Sequence, residues 1–372
     1  MKKILLIVPS KKNGGGINVV ANEIRDIYRK KSYIVEVLYL KGPGCLSALE
    51  ESEFFLIPDS QSIINKIVNR IILKSKFNDF IQKHGSYQLV ISFGFLPGIV
   101  AADSINQNLV ITQHAAISTS FDNIFLKKYY YHKIIKLYPK VKRVITISND
   151  MAQELTKIVK LNNQQTIYNP LNILEIKEQT RHLTPKIQEK NFVYVGRLAP
   201  EKRVDLLINA FSKYLNMSND EGVEKLLLVG DGPELNKLKL LVHNLKLSNN
   251  VVFTGNVKNP YNYILNAQAL FLISKVEGFP NVLVEAITLK TPVVSVDIPS
   301  GPYEIVTDSQ ERKQIEYPLV TKNGILLENV VDNELINEVV NAMLSIKELS
   351  FTPELTIINR KNIINEYLKL VE

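Results

Sequence analysis

Short apolar runs alternate with amphipathic segments along most of the chain. The runs cover residues 4–8, 34–40, 89–93, 109–112 and 144–147 in the first half, and residues 192–195, 226–229, 251–254, 270–274 and 293–296 in the second. They are rich in Val, Ile and Leu and lack polar alternation, which is typical of strands buried on both faces of a parallel sheet. Helical periodicity lies between them, as over residues 17–31, 204–215 and 234–247. Strands that alternate with helices predict α/β layers around parallel sheets.

The alternation is interrupted between residues 168 and 191, where the chain is polar and contains two prolines. We therefore predict one Rossmann-like domain over residues 1–168, a linker over 169–190 and a second Rossmann-like domain over 191–354. We expect a last helix over residues 355–372 to pack back on the first domain. Ligands bind beyond the carboxyl ends of parallel strands, so the two domains are expected to face each other across a central cleft.

Composition excludes several classes of protein. The 372 residues are 45% hydrophobic and 22% charged, which is ordinary for a globular chain of two domains. A single cysteine, Cys45, excludes an intrachain disulfide and a thiolate zinc cluster. No run approaches the roughly 18 apolar residues of a membrane span, so we expect a cytoplasmic protein without a transmembrane helix.

The positive charge of the chain is concentrated in its first half. Residues 1–180 contain 24 Lys and Arg against 14 acids, a net charge of +10, whereas residues 181–372 contain 21 against 23. Over residues 62–77 apolar positions recur with a helical period beside Lys66, Arg70 and Lys74, and residues 127–143 hold seven basic residues, three consecutive tyrosines and no acid. Both segments suit peripheral contact with an anionic membrane surface, and both equally suit half-buried helices with solvated lysines. No nucleic-acid-binding module is present, so nucleic acid is not an expected partner.

A glycine-rich turn follows the first predicted strand. The run from Asn13 to Gly16 lets the backbone approach an anion at the start of the next helix. The third glycine of the dinucleotide fingerprint is replaced by Val19, which argues against a nicotinamide cofactor. The alternative is a plain tight turn.

Two cations follow the first strand of the second domain. Arg197 and Lys202 lie five residues apart in a turn that leads into a helix. An arginine fork and a lysine point charge together suit a diphosphate, while the alternative is a solvated basic loop.

Two carboxylates flank a predicted helix start in the run from Glu277 to Glu285. Gly278 permits the turn, and Pro280 suits the first helical turn. Carboxylates accept hydrogen bonds from sugar hydroxyls, and a helix N-terminus favours phosphate, so the run suits a sugar bound through diphosphate to a nucleoside. The alternative assigns Glu277 to a loop surface and Glu285 to a helix surface.

Taken together and in this order, the motifs resemble glycosyltransferase family 4, whose members are retaining, metal-independent enzymes with the GT-B fold. The matching residues are Gly196-Arg197, Glu201-Lys202, Leu228-Val229-Gly230-Asp231-Gly232-Pro233, Phe253-Thr254-Gly255 and the run from Glu277 to Glu285. The resemblance is densest over residues 192–306 and weaker in the first half.

The resemblance implies a role for each matching position. Arg197 and Lys202 would hold the donor diphosphate, Glu277 would contact hydroxyls of the transferred sugar, and Glu285 would bind the ribose. His114 matches a family histidine near the anomeric centre. The remaining donor-binding positions are Gly278, Phe279, Pro280, Asn281 and Val282 at the helix start, Asn256 and Val257 near the base, and Gly15 and Gly16 from the other domain.

The resemblance also implies a reaction. A hexose or N-acetylhexosamine would move from a nucleotide sugar to a lipid-linked oligosaccharide or polysaccharide of a capsule, O-antigen or other glycan, with no metal or other cofactor. A run from Ser300 to Ile305 resembles a subset of the family that often uses UDP-sugars, which favours UDP. We expect the protein on the inner face of the cytoplasmic membrane. Two alternatives stay open, a GT-B sugar-nucleotide epimerase and a non-catalytic sugar-nucleotide-binding module.

Overall fold

The computed structural model describes residues 2–11, 15–42, 50–58, 63–102, 104–105, 107–118, 123–181, 191–218 and 225–372, with side chains of the helix that starts at residue 63 described from residue 72 on. The chain divides into two compact units. Unit 1 comprises Met1–Leu171 and Asn359–Glu372, and unit 2 comprises Asn172–Ile358.

Unit 1 is built on seven strands and the helices that connect them. The strands are β1 (Lys3–Ser10), β2 (Ile34–Gly42), β3 (Glu53–Pro58), β4 (Leu89–Phe93), β5 (Leu109–Gln113), β6 (Arg143–Thr146) and β7 (Gln164–Thr166). The helices are α1 (Gly16–Arg29), α2 (Ile63–His84), α3 (Phe95–Ala102), α4 (Ile124–Leu137) and α5 (Asn149–Ile158). Every residue of β4 and β5 is buried, as expected for strands covered on both faces.

Unit 2 repeats this organisation. Its strands are β8 (Asn191–Val195), β9 (Lys225–Val229), β10 (Val251–Gly255), β11 (Ala267–Leu272), β12 (Val293–Val296), β13 (Leu319–Thr321) and β14 (Gly324–Leu327). Its helices are α6 (Ile173–Thr180), α7 (Val204–Met217), α8 (Leu235–Asn244), α9 (Tyr261–Leu265), α10 (Asn281–Thr288), α11 (Pro302–Thr307) and α12 (Asp332–Glu348), and α13 (Arg360–Lys369) follows as part of unit 1.

The strand order confirms two Rossmann-like α/β domains. The sheet of unit 1 has the order β3-β2-β1-β4-β5-β6-β7, and that of unit 2 has the order β10-β9-β8-β11-β12-β14-β13. The paired strands are parallel, except that β13 and β14 are antiparallel. A tight turn at residues 322–323 connects these two strands. The strand order therefore reverses at β1 and β4 in unit 1 and at β8 and β11 in unit 2, which is where ligands bind in such sheets.

The segment predicted as a linker differs from the expectation. Residues 173–180 form α6, which the sequence had placed outside both domains. Asn172 caps this helix by accepting a hydrogen bond from the Glu175 amide at 3.3 Å and donating to its carboxylate at 2.8 Å, and Ile176 is buried. Only one residue of this short helix is buried, so its apolar positions show too little periodicity to reveal a helix from the sequence. Residues 182–190 lie outside the described part of the chain.

The last helix, α13, packs on unit 1. The Tyr28 hydroxyl donates to the carbonyl oxygen of Tyr367, and Lys142 Nζ donates to the carbonyl oxygen of Leu370 at 2.8 Å. Arg360 forms a salt bridge of 2.8 Å with Glu23 in α1. These contacts attach α13 and the residue after it to α1 and to the segment just before β6, through both side chains and backbone.

Candidate functional site

The two loops that leave the switch point of unit 2 contain the sharpest sequence motifs. The loop after β8 contains Arg197 and Lys202, and the loop after β11 contains Glu277. Because β8 and β11 are parallel neighbours, both loops leave the same edge of the sheet. Residues far apart in sequence are thereby brought side by side.

The loops after β8 and β9 fit together through their backbones. The Leu198 amide donates to the carbonyl oxygen of Asp231 at 2.9 Å, and the Gly196 amide donates to the carbonyl oxygen of Val229 at 2.9 Å. A side chain on Gly230, whose φ is +139°, would place its Cβ 1.9 Å from the carbonyl oxygen of Gly196. The glycine-rich turn after β9 therefore supports the loop that carries Arg197 and Lys202.

The same support extends to the loop after β10. The Gly230 amide donates to the carbonyl oxygen of Gly255 at 2.9 Å. Asn256, which is exposed, and Val257, which is half-buried, follow directly. The residues predicted to lie near the nucleotide base therefore belong to a loop that is hydrogen-bonded to the turn after β9, and this turn supports the loop that contains Arg197 and Lys202.

An ion pair joins the two loops at the switch point. Lys202 Nζ lies 2.7 Å from Glu277 Oε1, and both side chains are mostly buried, with 18% and 13% of their surface exposed. The buried Ser274 hydroxyl donates to the same Oε1 atom at 2.7 Å. A backbone hydrogen bond of 2.8 Å from the Lys275 amide to the carbonyl oxygen of Glu201 holds the loops in register. The structure therefore brings together two predicted site residues whose contact the sequence did not reveal.

Arg197 lies five residues before Lys202 in the same loop and is exposed. The Tyr194 hydroxyl donates to the Arg197 carbonyl oxygen at 2.8 Å and so fixes the backbone from which the guanidinium extends. Within the described part of the chain the guanidinium has no ion-pair partner. Its fork of donors is therefore available for an anion, as a diphosphate site requires.

The helix α10 begins beside the ion pair. Pro280 occupies its N-cap, Asn281 is the first helical residue, and the sequence places no acid in the first turn. Phe279 is buried against Gly301, where an added Cβ would lie 2.5 Å from Cδ2 of the phenylalanine ring. Gly278 and Val282 are half-buried. The amides at the helix start thus keep the partial positive charge that favours a phosphate.

Glu285 lies one turn into α10 and is half-buried. Burial raises the pKa of its carboxyl group from 4.5 to about 7. Among the described residues no side chain donates a hydrogen bond to this carboxyl group. A half-buried carboxyl group without a donor partner is a chemically suitable acceptor for ligand hydroxyl groups.

The predicted residues of the first domain lie at the corresponding edge of the sheet in unit 1. Gly15 is the N-cap of α1 and Gly16 its first residue, and both are exposed, while Asn13 and Gly14 lie outside the described residues. His114 follows β5 and is buried, with its ring stacked on Phe93 at 5.5 Å between ring centroids. Burial lowers the pKa of His114 to about 4, so the ring is neutral near pH 7.

Three residues of the site were not predicted from the sequence. Ser274 was assigned to the end of a predicted strand, Tyr194 to a strand interior, and Thr112 to the end of another strand. Each side chain hydrogen-bonds to a predicted site residue. A polar residue at the carboxyl end of an otherwise apolar strand was the available signal, since ligands bind at that edge.

Two further predictions concern metals and membranes. In the described ranges no group of three His, Cys, Asp or Glu side chains could hold a metal ion, and Cys45 lies outside them. No helix in the part of the chain that could be searched is long and apolar enough to span a bilayer. The predicted helix over residues 62–77 corresponds to α2, but the side chains of Lys66 and Arg70 are not described.

The C-terminal half of the chain is similar in sequence to known proteins. Residues 175–352 match the family model for glycosyl transferases group 1. An uncharacterized glycosyltransferase of Methanocaldococcus jannaschii is 36% identical over 136 residues, which cover 36% of this chain and 33% of the relative. The N-acetylgalactosamine-N,N'-diacetylbacillosaminyl-diphospho-undecaprenol 4-alpha-N-acetylgalactosaminyltransferase of Campylobacter jejuni is 28% identical over 176 residues, which cover 47% of this chain and 46% of the relative. The chain thus spans less than half the length of these curated relatives.

A solved structure covers both units. Anabaena Alr3699/HepE in complex with UDP-glucose superposes with a TM-score of 0.71 at 17% identity, covering 98% of each chain. This likeness shows the fold and confirms the predicted GT-B class with its two Rossmann-like domains.

Proposed function

We propose that this chain, which contains a glycosyl transferases group 1 domain, transfers a hexose or N-acetylhexosamine from a UDP-sugar to a lipid-linked oligosaccharide or polysaccharide acceptor, with retention of configuration. The observation that carries the proposal is the Lys202–Glu277 ion pair at the switch point of unit 2, beside the N-terminus of α10. The UDP-glucose bound to the Anabaena protein supports the donor class, and the diphospho-undecaprenol in the name of the Campylobacter relative supports the acceptor class.

The residues of the site have complementary roles in this proposal. Negative charge develops on the departing UDP as the bond between the sugar C1 and the phosphate oxygen breaks. Arg197, Lys202 and the amides at the start of α10 stabilise this charge, and donors arranged in advance around a developing anion contribute about 3 kcal/mol each. These groups supply the charge stabilisation that a metal ion provides elsewhere, so the proposal requires no metal.

Glu277 connects charge stabilisation to sugar binding. Its Oε1 atom already accepts from Lys202 and Ser274, so the carboxylate is fixed before a donor arrives. Its second oxygen accepts hydrogen bonds from hydroxyl groups of the transferred sugar, while Glu285 accepts hydrogen bonds from the hydroxyl groups of the ribose. The acceptor hydroxyl oxygen bonds to C1 on the face that UDP leaves, and its proton passes to the released phosphate oxygen.

Nucleotide binding tests the donor site. Thermal unfolding and calorimetry with UDP, GDP, dTDP, CMP and NAD should show binding of UDP, and a ligand at a hundred times its dissociation constant stabilises by about 2.7 kcal/mol. Arg197→Ala should weaken UDP binding at least tenfold. Arg181→Ala, which removes the exposed arginine that caps the C-terminus of α6 in unit 2, is the matched control and should bind normally. Preference for GDP would overturn the donor, and equal binding by Arg197→Ala would overturn the assigned site.

Product analysis tests the reaction. Incubation with UDP-sugars and lipid-linked acceptors should give a glycosylated lipid and UDP, and Glu277→Gln should lower turnover by two orders of magnitude or more. Formation of an isomeric UDP-sugar in the absence of acceptor would identify an epimerase instead. Binding of UDP without any product would identify a non-catalytic module.

A lipid-linked acceptor lies at a membrane surface. One side of α4 is suited to contact with an anionic membrane surface. Its outward side exposes apolar side chains that a solvated helix would not need, with Phe125 79% exposed, Ile124 58% and Ile135 51%. Lys128 and Lys136 are exposed on the same helix, which contains no acid. Cations beside apolar anchors are what binding to an anionic leaflet requires.

Vesicle co-sedimentation tests this surface. The protein should bind vesicles of equimolar phosphatidylcholine and phosphatidylglycerol and not vesicles of phosphatidylcholine alone. The double variant Phe125→Ser with Lys128→Glu should lose binding at least tenfold. Its matched control is Leu240→Ser with Lys239→Glu, which changes an exposed apolar and basic pair on α8 of unit 2. Equal loss in both doubles, or binding to neutral vesicles, would refute the surface.

A further inference from the structure

A buried carboxylate lies directly after β12, outside the proposed donor site. Asp297 exposes only 4% of its side-chain surface. Arg312 donates from both terminal nitrogens of its guanidinium group to the two carboxylate oxygens, at 2.7 and 2.9 Å, and the Tyr317 hydroxyl donates to Oδ2 at 2.6 Å. Burial and this hydrogen bond raise the pKa of Tyr317, so its hydroxyl keeps the hydrogen that it donates. Asp297 therefore joins the loop after β12 to the segment that precedes β13.

Arg312 is held on a second side by α11. Its guanidinium carbon lies 4.4 Å from the centre of the Tyr303 ring, and the Lys313 amide donates to the Tyr303 hydroxyl at 2.9 Å. Tyr303 is the second residue of α11 and is buried. The carboxylate and the ring both constrain the plane of the guanidinium group. The segment before β13 is thus fixed to the loop after β12 and to α11.

The loop after β12 lies against the start of α10. Gly301 ends this loop, four residues after Asp297, and a Cβ added to it would lie 2.5 Å from Cδ2 of Phe279 and 3.3 Å from Cδ of Pro280. The Gly301 carbonyl oxygen accepts a hydrogen bond of 3.0 Å from the Ile305 amide in α11. Because protein interiors are close-packed, a shift of this loop is transmitted to the residues that it touches. The position of the amides at the start of α10 therefore depends on the loop that Asp297 holds.

We propose that Asp297 is a positioning residue that, by binding Arg312 and Tyr317, fixes the loop after β12 against the start of α10 and so holds the α10 amides in place for the donor phosphates. The contact between the loop and α10 rests on the geometry of unit 2 alone, whereas its effect on the phosphates rests on the proposed function. Asp297 acts through the loop and touches no reacting atom. Loss of its carboxylate releases Arg312 and Tyr317 together, so the loop loses its side-chain attachment to the segment before β13.

Fluorine NMR measures the contact between the loop and α10. In the full chain labelled with 4-fluorophenylalanine at its 14 phenylalanines, the signal of Phe279 is identified by its loss in Phe279→Leu. Asp297→Ala should move this signal. Asp308→Asn is the matched control and should leave it in place, because Asp308 is a carboxylate of unit 2 with 5% of its side chain exposed that binds Lys322 and the Thr356 amide instead. An unmoved Phe279 signal in Asp297→Ala, or equal movement in the control, would overturn the positioning role.

Ligand affinity separates positioning from a general loss of structure. UDP contains the phosphates, whereas uridine lacks them and requires only contacts to the base and the ribose. Asp297→Ala should weaken UDP binding about fivefold in calorimetry and leave uridine binding unchanged. It should also lower kcat about tenfold, because the charge that the α10 amides stabilise develops only as the bond breaks. Asp308→Asn should match wild type in all three measurements.

A second variant covers the case in which Asp297→Ala does not fold. Tyr317→Phe removes one hydrogen bond and leaves the arginine fork intact, so it should give the same pattern at a smaller size. Equal weakening of UDP and uridine would refute the positioning role and indicate a purely structural one. A wild-type protein that binds no UDP would refute the proposed function and the phosphate part of the proposal, while the Phe279 signal would still decide whether Asp297 fixes the loop.

Discussion

Replacing Glu285 by glutamine should change how the stability of unit 2 depends on pH. Burial raises the pKa of this carboxyl group from 4.5, its ordinary value, to about 7. Between these values the folded protein keeps a proton that the unfolded chain has lost. Its free energy of unfolding therefore decreases as the pH rises through this window, because ionisation within the fold is unfavourable. Glutamine cannot ionise and removes this dependence.

The size of the effect follows from the pKa difference. One pKa unit corresponds to 1.36 kcal/mol, so a shift from 4.5 to about 7 gives an upper limit of about 3 kcal/mol at pH 8. At pH 5, close to the unfolded-state value, less than about 1 kcal/mol of this cost is present. Since Glu285 is half-buried rather than enclosed, water reduces the full value. We therefore expect the free energy of unfolding of Glu285→Gln, relative to that of wild type, to increase by about 1–2 kcal/mol between pH 5 and pH 8.

Urea unfolding followed by circular dichroism at pH 5, 6, 7 and 8 measures this difference. Glu334→Gln, which changes an exposed carboxylate on α12 of the same unit, is the control and should follow wild type at every pH. A stability difference between Glu285→Gln and wild type that stays constant across the series would refute the reasoning. Such a result would mean that Glu285 titrates alike in the folded and unfolded chain.

Three further predictions concern packing. Gly230→Ala should destabilise unit 2 by about 3 kcal/mol or more, because its Cβ would lie 1.9 Å from the Gly196 carbonyl oxygen, whereas Gly255→Ala, with φ +70° and open space, should cost only about 1 kcal/mol in urea unfolding. Gly301→Ala should displace Phe279 and weaken UDP binding in calorimetry, with unchanged affinity as the contrary result. Deleting α13 should lower the unfolding temperature of unit 1, because the hydrogen bonds described above are lost; an unchanged temperature would show that the helix is dispensable.

The site residues were partly predictable, for a physical reason. Glu277, Lys202 and Arg197 lie in motifs whose turn glycines and flanking strands are local in sequence, so their place at a sheet edge could be inferred. The hydrogen-bond partners of the predicted site residues could not be inferred from the sequence. Ser274 and Thr112 look like ordinary strand residues, and their hydrogen bonds depend on how neighbouring strands align.

The sequence by itself determined the ten apolar strands, the helices between them and the alternation that requires parallel sheets, because each depends on residues within one short segment. It missed α6 and the strands β3, β7, β13 and β14. The strands β7 and β13 contain no buried residue, and β3 and β14 are only six and four residues long. The tertiary structure alone decided the strand order that joins Lys202 to Glu277 across 75 residues. It also decided the pKa of Glu285, since burial is set by residues distant in the chain. Contacts of this kind are chosen by the packing of whole elements, and no local pattern of side chains encodes them.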